Sequence, residues 1–192
     1  MNWYIDVFRK YILDLSFLQI NKTAWTMPGI FLKKNITAMD TLDKTDRKIL
    51  EALQADARLN TKEIAHRVGL SVTPTYERLK KIEKSGVIKS YVTLLHGGKA
   101  GKTLVAFCNV SLQLHSQPLI KKFETAIAKM EEVMECYHVA GTYDYLLKVV
   151  VNDMRSYQNF LTNKLAAIEN IGQVHSSFVM TEIKHTTAFR LL

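Results

Sequence analysis

The chain has 192 residues, 47% of them hydrophobic and 23% charged, ordinary globular material with room for one or two domains. Lys and Arg total 26 against 18 Asp and Glu, a net charge of +8 that favours a polyanionic partner without naming one. No uninterrupted apolar run approaches the roughly 20 residues of a membrane span, and the two cysteines, Cys108 and Cys136, match no metal or redox spacing.

Residues 1–38 are an extension with nearly helical apolar spacing, interrupted by Asp6, Arg9, Lys10 and Asp14. Those charges exclude a signal-peptide core. The expectation is a start codon placed too early, with Met39 the true first residue, or else an extra amphipathic helix that docks on a partner. From Leu42 the pattern sharpens. Asp43 is placed to cap a helix that turns Ile49, Leu50 and Leu53 inward and ends near Ala57.

Asn60 to Tyr91 then reads as two short helices joined by a tight turn. Asn60 caps the first, with Glu63 three places on to close a capping box, and Gly69 supplies the left-handed stop. Ser71 is placed to cap the second, whose first turn accepts Pro74 because a missing N–H costs little there. Tyr76, Leu79 and Ile82 form an apolar stripe, and Gly86 ends the helix. Thr73, Glu77, Arg78, Lys81 and Lys84 occupy the other face. One apolar seam opposite hydroxyls and cations suits a helix lying in a DNA major groove. The bland alternative, a solvated basic face, is weakened because a helix precedes the pair and a strand-like run (Val87, Ile88, Tyr91) follows it. Residues 39–90 are therefore expected to be a helix-turn-helix unit. Residues 43–90 hold eleven basic against seven acidic side chains, whereas 91–192, twice as long, hold ten against eight.

Residues 91–103 read as a strand and a Gly- and Lys-rich hinge, HGGKAGK, whose glycine spacing fails the phosphate-loop pattern. Beyond it the hydrophobic period changes. Cys108 to His115 alternates as a half-buried strand. Pro118 opens a helix with Leu119, Ile120, Phe123, Ile127 and Met130 inward. Val133–Val139 and Tyr145–Val151 are the second and third strands. Asp153 caps a helix carrying Tyr157, Phe160, Leu161, Leu165 and Ile168, and Val174–Lys184 is the fourth strand. Residues 104–192 thus predict a ferredoxin-like βαββαβ domain, and the whole an α+β chain. Apolar residues on both faces of the strands predict that another subunit covers the face the helices leave open. Cysteines in such runs are expected to be buried and reduced, as in a cytosolic protein.

Three stretches carry a family resemblance: LDKTDRKILEALQADAR with TKEIAHRVGLSVTPTYERLKKIEKSGVIKSY, MEEVMECYHVAGTYDYLLKVVV, and SFVMTEIKHT. Together they resemble the Lrp/AsnC transcription regulators, the leucine-responsive members in particular, over about residues 40–190. The resemblance implies a winged helix-turn-helix, a ferredoxin-like regulator domain, and homodimers assembling into octamers or larger rings. It implies double-stranded DNA as a partner and a cytoplasmic, nucleoid-associated protein without cofactor or metal. It also implies an amino-acid effector, leucine or another apolar one, bound where regulator domains of neighbouring subunits meet. The effector loop falls on Gly141, Thr142, Tyr143 and Asp144, where backbone N–H groups of the turn suit a carboxylate and Asp144 suits an ammonium group. Met154, Phe178, Val179 and Met180 would line an apolar pocket. Without the resemblance, Gly-Thr-Tyr-Asp is simply a good hairpin turn. For DNA, Ser71, Thr73, Thr75, Arg78 and Lys81 are expected to reach phosphates or base edges, with Arg78 reading a guanine. Lys62, Lys80 and Lys84 are expected on phosphates. Family members commonly carry Ser-Pro where this chain has Ser71-Val72, a small cost to helix entry. Two rivals stand beside this reading. One is a low-specificity architectural DNA protein. The other is a ferredoxin-like enzyme using His138 and His175, against which the cationic helix argues.

Overall fold

The computed structural model describes residues 42–191, so both expectations for the 1–38 extension fall outside the described residues. Three helices come first: α1 (Lys44–Ala55), α2 (Thr61–Val68) and α3 (Val72–Lys84). The capping box forms: Asn60 Oδ1 accepts the Glu63 N–H at 3.0 Å and Glu63 Oε2 accepts the Asn60 N–H at 2.8 Å. Gly69 takes φ 73°, a conformation that would strain any side-chain-bearing residue. Ser71 occupies the N-cap position of α3 without capping through its side chain; instead its carbonyl accepts from the Thr75 hydroxyl at 2.9 Å.

The seam of α3 differs from the expected stripe. Thr75 and Ile82 are buried, Leu79 is half-buried, and Tyr76 is 47% exposed. Seven residues are two helical turns, so Thr75 and Ile82 share one face, and Tyr76 is rotated off it. Ile82 packs with Ile49, Leu50, Leu53, Ile64 and Ala65 as the core of the three-helix unit. Burying each large aliphatic side chain contributes about 2 kcal/mol. Asp46, 2% exposed, is an acid within this core, and Arg78 Nη1 lies 2.7 Å from its Oδ1. The pair ties α1 to α3.

Residues 87–96, which include the expected strand-like run of Val87, Ile88 and Tyr91, form no helix or strand. A single 3-10 turn follows at Gly97–Ala100, with the His96 side chain accepting from the Lys99 N–H.

The second half contains β1 (Leu104–Leu112), α4 (Gln117–Ile127), β2 (Val133–His138), β3 (Tyr145–Val151), α5 (Met154–Asn159), a π-helical continuation at Phe160–Leu165, and β4 (Ile171–Phe178). The sheet is antiparallel throughout in the order β2-β3-β1-β4, with Val110 opposite Tyr145 and Ala106 opposite Phe178. This is the ferredoxin-like arrangement. Ala106, Cys108, Val110 and Leu112 of β1 and Tyr145, Leu147, Val149 and Val151 of β3 face Phe123, Ile127, Tyr157, Phe160 and Leu165. Their alternating neighbours, Val105, Phe107, Leu146 and Val150 among them, lie half-buried on the opposite face.

Several strand boundaries move from their expected places. β1 begins at Leu104 and leaves the ladder after Leu112. β4 ends at Phe178 rather than Lys184, and its last bond to β1 runs from the Val179 N–H to the Val105 carbonyl.

Candidate DNA-binding face and effector loop

The exposed surface of α3 carries Thr73, Tyr76, Glu77, Lys80, Lys81 and Lys84, with Ser71 exposed just before it. Lys80 is 3.1 Å from Glu83 Oε2 and its Nζ lies 5.7 Å from the Tyr76 ring centroid, so it is partly neutralised by its own helix. Lys62 is exposed on α2, where it lines an open depression of about 500 Å³ with Asn60, Glu63, His66 and Arg67. His66 and Arg67 are basic neighbours that the sequence reading passed over. The spacing of Lys62 and His66, one helical turn apart, carried that signal.

Two expected DNA contacts are placed otherwise. Thr75 is 0% exposed and its hydroxyl is committed to the Ser71 carbonyl, so it belongs to the helix-helix core. Its position in the buried seam is the cause. Arg78 is turned toward Asp46, with a 2.7 Å contact to a carboxylate whose side chain is 3% exposed. A buried carboxylate needs a compensating cation, so this arginine is held to the protein rather than extended to a base edge.

In the regulator half, Gly141 sits at φ 146° in the turn between β2 and β3. Gly141 and Thr142 are exposed, and the amides of residues 141–143 have no acceptor among the described residues. The half-buried Tyr143 ring lies 5.4 Å from His175. Asp144 behaves unlike the expected free acceptor. It is 8% exposed; its Oδ2 accepts the Leu112 N–H at 2.7 Å, and its Oδ1 lies 2.8 Å from His115 Nε2. Its own N–H donates to the Val110 carbonyl, and its carbonyl accepts from Val139. Asp144 therefore fixes the turn against the end of β1. The alternation of β3 buries every second residue from Tyr145, but Asp144 is held inward by the β1 backbone that it binds.

Met154 (46% exposed), Phe178 (38%) and Val179 are not brought to this loop. The register puts the turn beside Val110, whereas Phe178 pairs with Ala106, four residues away along β1 or about 13 Å. Within one chain the expected pocket is thus two half-sites at opposite ends of the sheet. Phe178 instead packs edge-on against Tyr157 at 5.0 Å, and Met180 is 94% exposed.

Burial pushes the Tyr157 phenol up to about 12 and raises the Cys108 thiol, which lies 3.2 Å from the Tyr157 hydroxyl. Both stay neutral at physiological pH. Cys136, by contrast with the expected burial, is exposed. His138 stacks on Tyr145 at 4.8 Å. Among the described residues no cluster of His, Cys, Asp or Glu is placed to hold a metal, and no helix is long and apolar enough to cross a membrane.

Comparison with known proteins follows the same two halves. The winged helix-turn-helix DNA-binding family matches residues 42–89, and the Lrp/AsnC ligand binding domain matches residues 105–189. The leucine-responsive regulatory protein of Escherichia coli (strain K12) is 37% identical over 145 residues, 76% of this chain and 88% of the relative. The DNA-binding transcriptional activator DecR of the same strain is 40% identical over 147 residues, 77% and 97% of the two chains. The structure of a transcriptional regulator from Neisseria meningitidis in complex with L-Met superposes with a TM-score of 0.76 at 38% identity, covering 79% of this chain and 97% of that one.

Proposed function

The chain belongs to the Lrp/AsnC family of DNA-binding transcriptional regulators, and from that premise we propose that an apolar amino acid, held between regulator domains of neighbouring subunits, controls its sequence-specific binding to DNA. It is a regulator and not an enzyme. The observation that carries the proposal is the β2–β3 turn, which presents the amides of Gly141, Thr142 and Tyr143 on a backbone braced by Asp144. Such a turn suits the carboxylate of an amino acid, because fixed N–H dipoles need no reorganisation to receive it. The L-Met bound by the Neisseria regulator supports an amino acid of apolar side chain, and leucine is the other candidate.

The separation of the turn from Met154, Phe178 and Val179 makes the second half of the pocket the contribution of another subunit. Val105, Phe107, Leu146 and Val150 on the open sheet face supply the apolar surface for a homodimer, which assembles further to an octamer or larger ring. On the DNA side, Ser71, Thr73 and Lys81 face the groove, while Lys62, Lys80 and Lys84 contact phosphate. Arg78 acts through Asp46 by holding α3 in place.

The test is DNA binding by the full chain to the region upstream of its own gene and to random DNA, with and without leucine or methionine. Preference for the upstream fragment that shifts with either amino acid is the expected result. Equal affinity for both DNAs with no response would replace it with an architectural role.

A further inference from the structure

Beyond β4 the chain turns back to the other half of the molecule. Residues 180–191 adopt no helix or strand, yet their end is fastened to α1 by four hydrogen bonds. Gln54 makes two of them to one residue: its Nε2 donates to the Phe189 carbonyl at 3.0 Å, and its Oε1 accepts the Phe189 N–H at 2.9 Å. Glu51 Oε1 accepts the Leu191 N–H at 3.1 Å, and Arg47 Nη1 donates to the Leu191 carbonyl at 3.3 Å.

The geometry joins two different periods. Arg47, Glu51 and Gln54 recur at the four- and three-residue steps that share one helical face. Phe189 and Leu191 are alternate residues, whose main-chain groups point to the same side when the chain is extended. Each of the four hydrogen bonds is made to the tail's main chain, and the Phe189 side chain is left 70% exposed. The polar groups of this α1 face therefore read the tail's backbone.

We infer that Arg47, Glu51 and Gln54 form a docking site for the C-terminal main chain, and that the docked tail is a second tether fixing the helix-turn-helix relative to the regulator domain. The first tether is the irregular segment following α3. A body on one irregular segment can swing freely; a second attachment on α1 removes most of that freedom. The tail also starts from β4, directly after Phe178 and Val179, so the tether runs from one proposed effector half-site to the DNA-binding unit. Its effect on DNA rests on the dimeric regulator proposed above, because two helix-turn-helix units must be held at a set spacing to engage two half-sites together.

Amide hydrogen exchange of the full chain without DNA tests the docking itself. The Phe189 and Leu191 amides are expected to exchange slowly. Gln54→Ala should speed exchange at Phe189, and Glu51→Ala at Leu191, each by about twofold to tenfold, the worth of one hydrogen bond. Phe189→Ala should leave the Leu191 amide protected, whereas Phe189→Pro, which deletes the donor and spares α1, should release it. Amides exchanging as in a free peptide, or indifferent to Gln54→Ala, would overturn the inference. Binding to DNA with one and with two half-sites then tests the tether. The Gln54→Ala and Phe189→Pro chains should lose affinity several-fold for two half-sites and keep it for one. Equal loss on both DNAs, or no loss on either, would show that the docked tail does not set the spacing.

Discussion

Arg78 is the residue whose position changes most in meaning between sequence and structure. On a helical wheel it belongs to the cationic face, but Asp46 claims it at 2.7 Å. Arg78→Met should therefore lower the stability of the three-helix unit by about 1–3 kcal/mol in chemical denaturation, because it removes the 2.7 Å ion pair from a buried carboxylate. Lys81→Met should leave stability nearly unchanged and instead reduce the salt dependence of DNA binding, by about one unit of slope if one phosphate contact is lost. The reverse pattern would return Arg78 to the DNA surface. Asp144 invites the same comparison. Asp144→Ala strips the Leu112 N–H of its acceptor, and should destabilise the regulator domain by about 1–3 kcal/mol as well as blunting the effector response. Tyr157 gives a pH signature. Its phenol is raised to about 12 by burial, above the unfolded value near 10, so the neutral form is favoured by folding. That stability is fully present below pH 10 and drains away as pH climbs toward 12, and Tyr157→Phe should flatten the alkaline limb of a stability-pH curve. The hydroxyl's contacts with Ser176 and with Cys108 are what this variant gives up.

At the scale of elements, the joint between the π-helical turn and β4 is held by Asn170. Asn170 takes φ 74° there, an uncommon conformation for a residue other than glycine. Its side chain is doubly bonded to Leu114, accepting the N–H and donating to the carbonyl, both at 2.8 Å, while its carbonyl accepts from Gln113 at 2.9 Å. Asn170→Gly keeps the backbone conformation and loses the side-chain bonds; Asn170→Ala loses both. Thermal unfolding should rank the Ala variant below the Gly variant by about 1 kcal/mol, the cost of a left-handed Cβ. What was legible in the sequence sorts by the range of the interaction. The capping box at Asn60, the left-handed Gly69 and the Asp153 cap, whose carboxylate accepts the Ser156 N–H at 2.7 Å, are local and could be read from spacing alone. So could the alternation of β1 and β3, and hence the ferredoxin-like half. Arg78 with Asp46, Asp144 with Leu112 and Gln54 with Phe189 join residues 32 to 135 positions apart. No periodic pattern announces such partners, so the contacts of Arg78 and Asp144 were not legible in the spacing, whereas the burial of Thr75 follows from its place in the same seam as Ile82.

For the molecule as a whole, the winged helix-turn-helix and ligand-binding halves account for nearly all of the described residues, and large apolar side chains are exposed in the irregular segments. Val92, Leu94 and Leu95 in the connecting segment are 64–76% exposed, and Met180 and Ile183 in the tail are 94% and 89% exposed. Patches of this kind are where partners bind. Sedimentation of the full chain across a dilution series should show assemblies that persist to low concentration, and Leu94→Asp with Leu95→Asp should break them into smaller species that still bind one half-site. The same feature bears on how the protein is made. In the proposed assembly, a newly synthesised copy emerges with these side chains in water and is protected only once it meets another. Abundance then acts on survival as well as on occupancy: at low expression the lone chains are the ones degraded, so the pool of working regulator should rise more steeply than the rate of translation. Pulse-chase half-lives at graded expression would show that threshold directly.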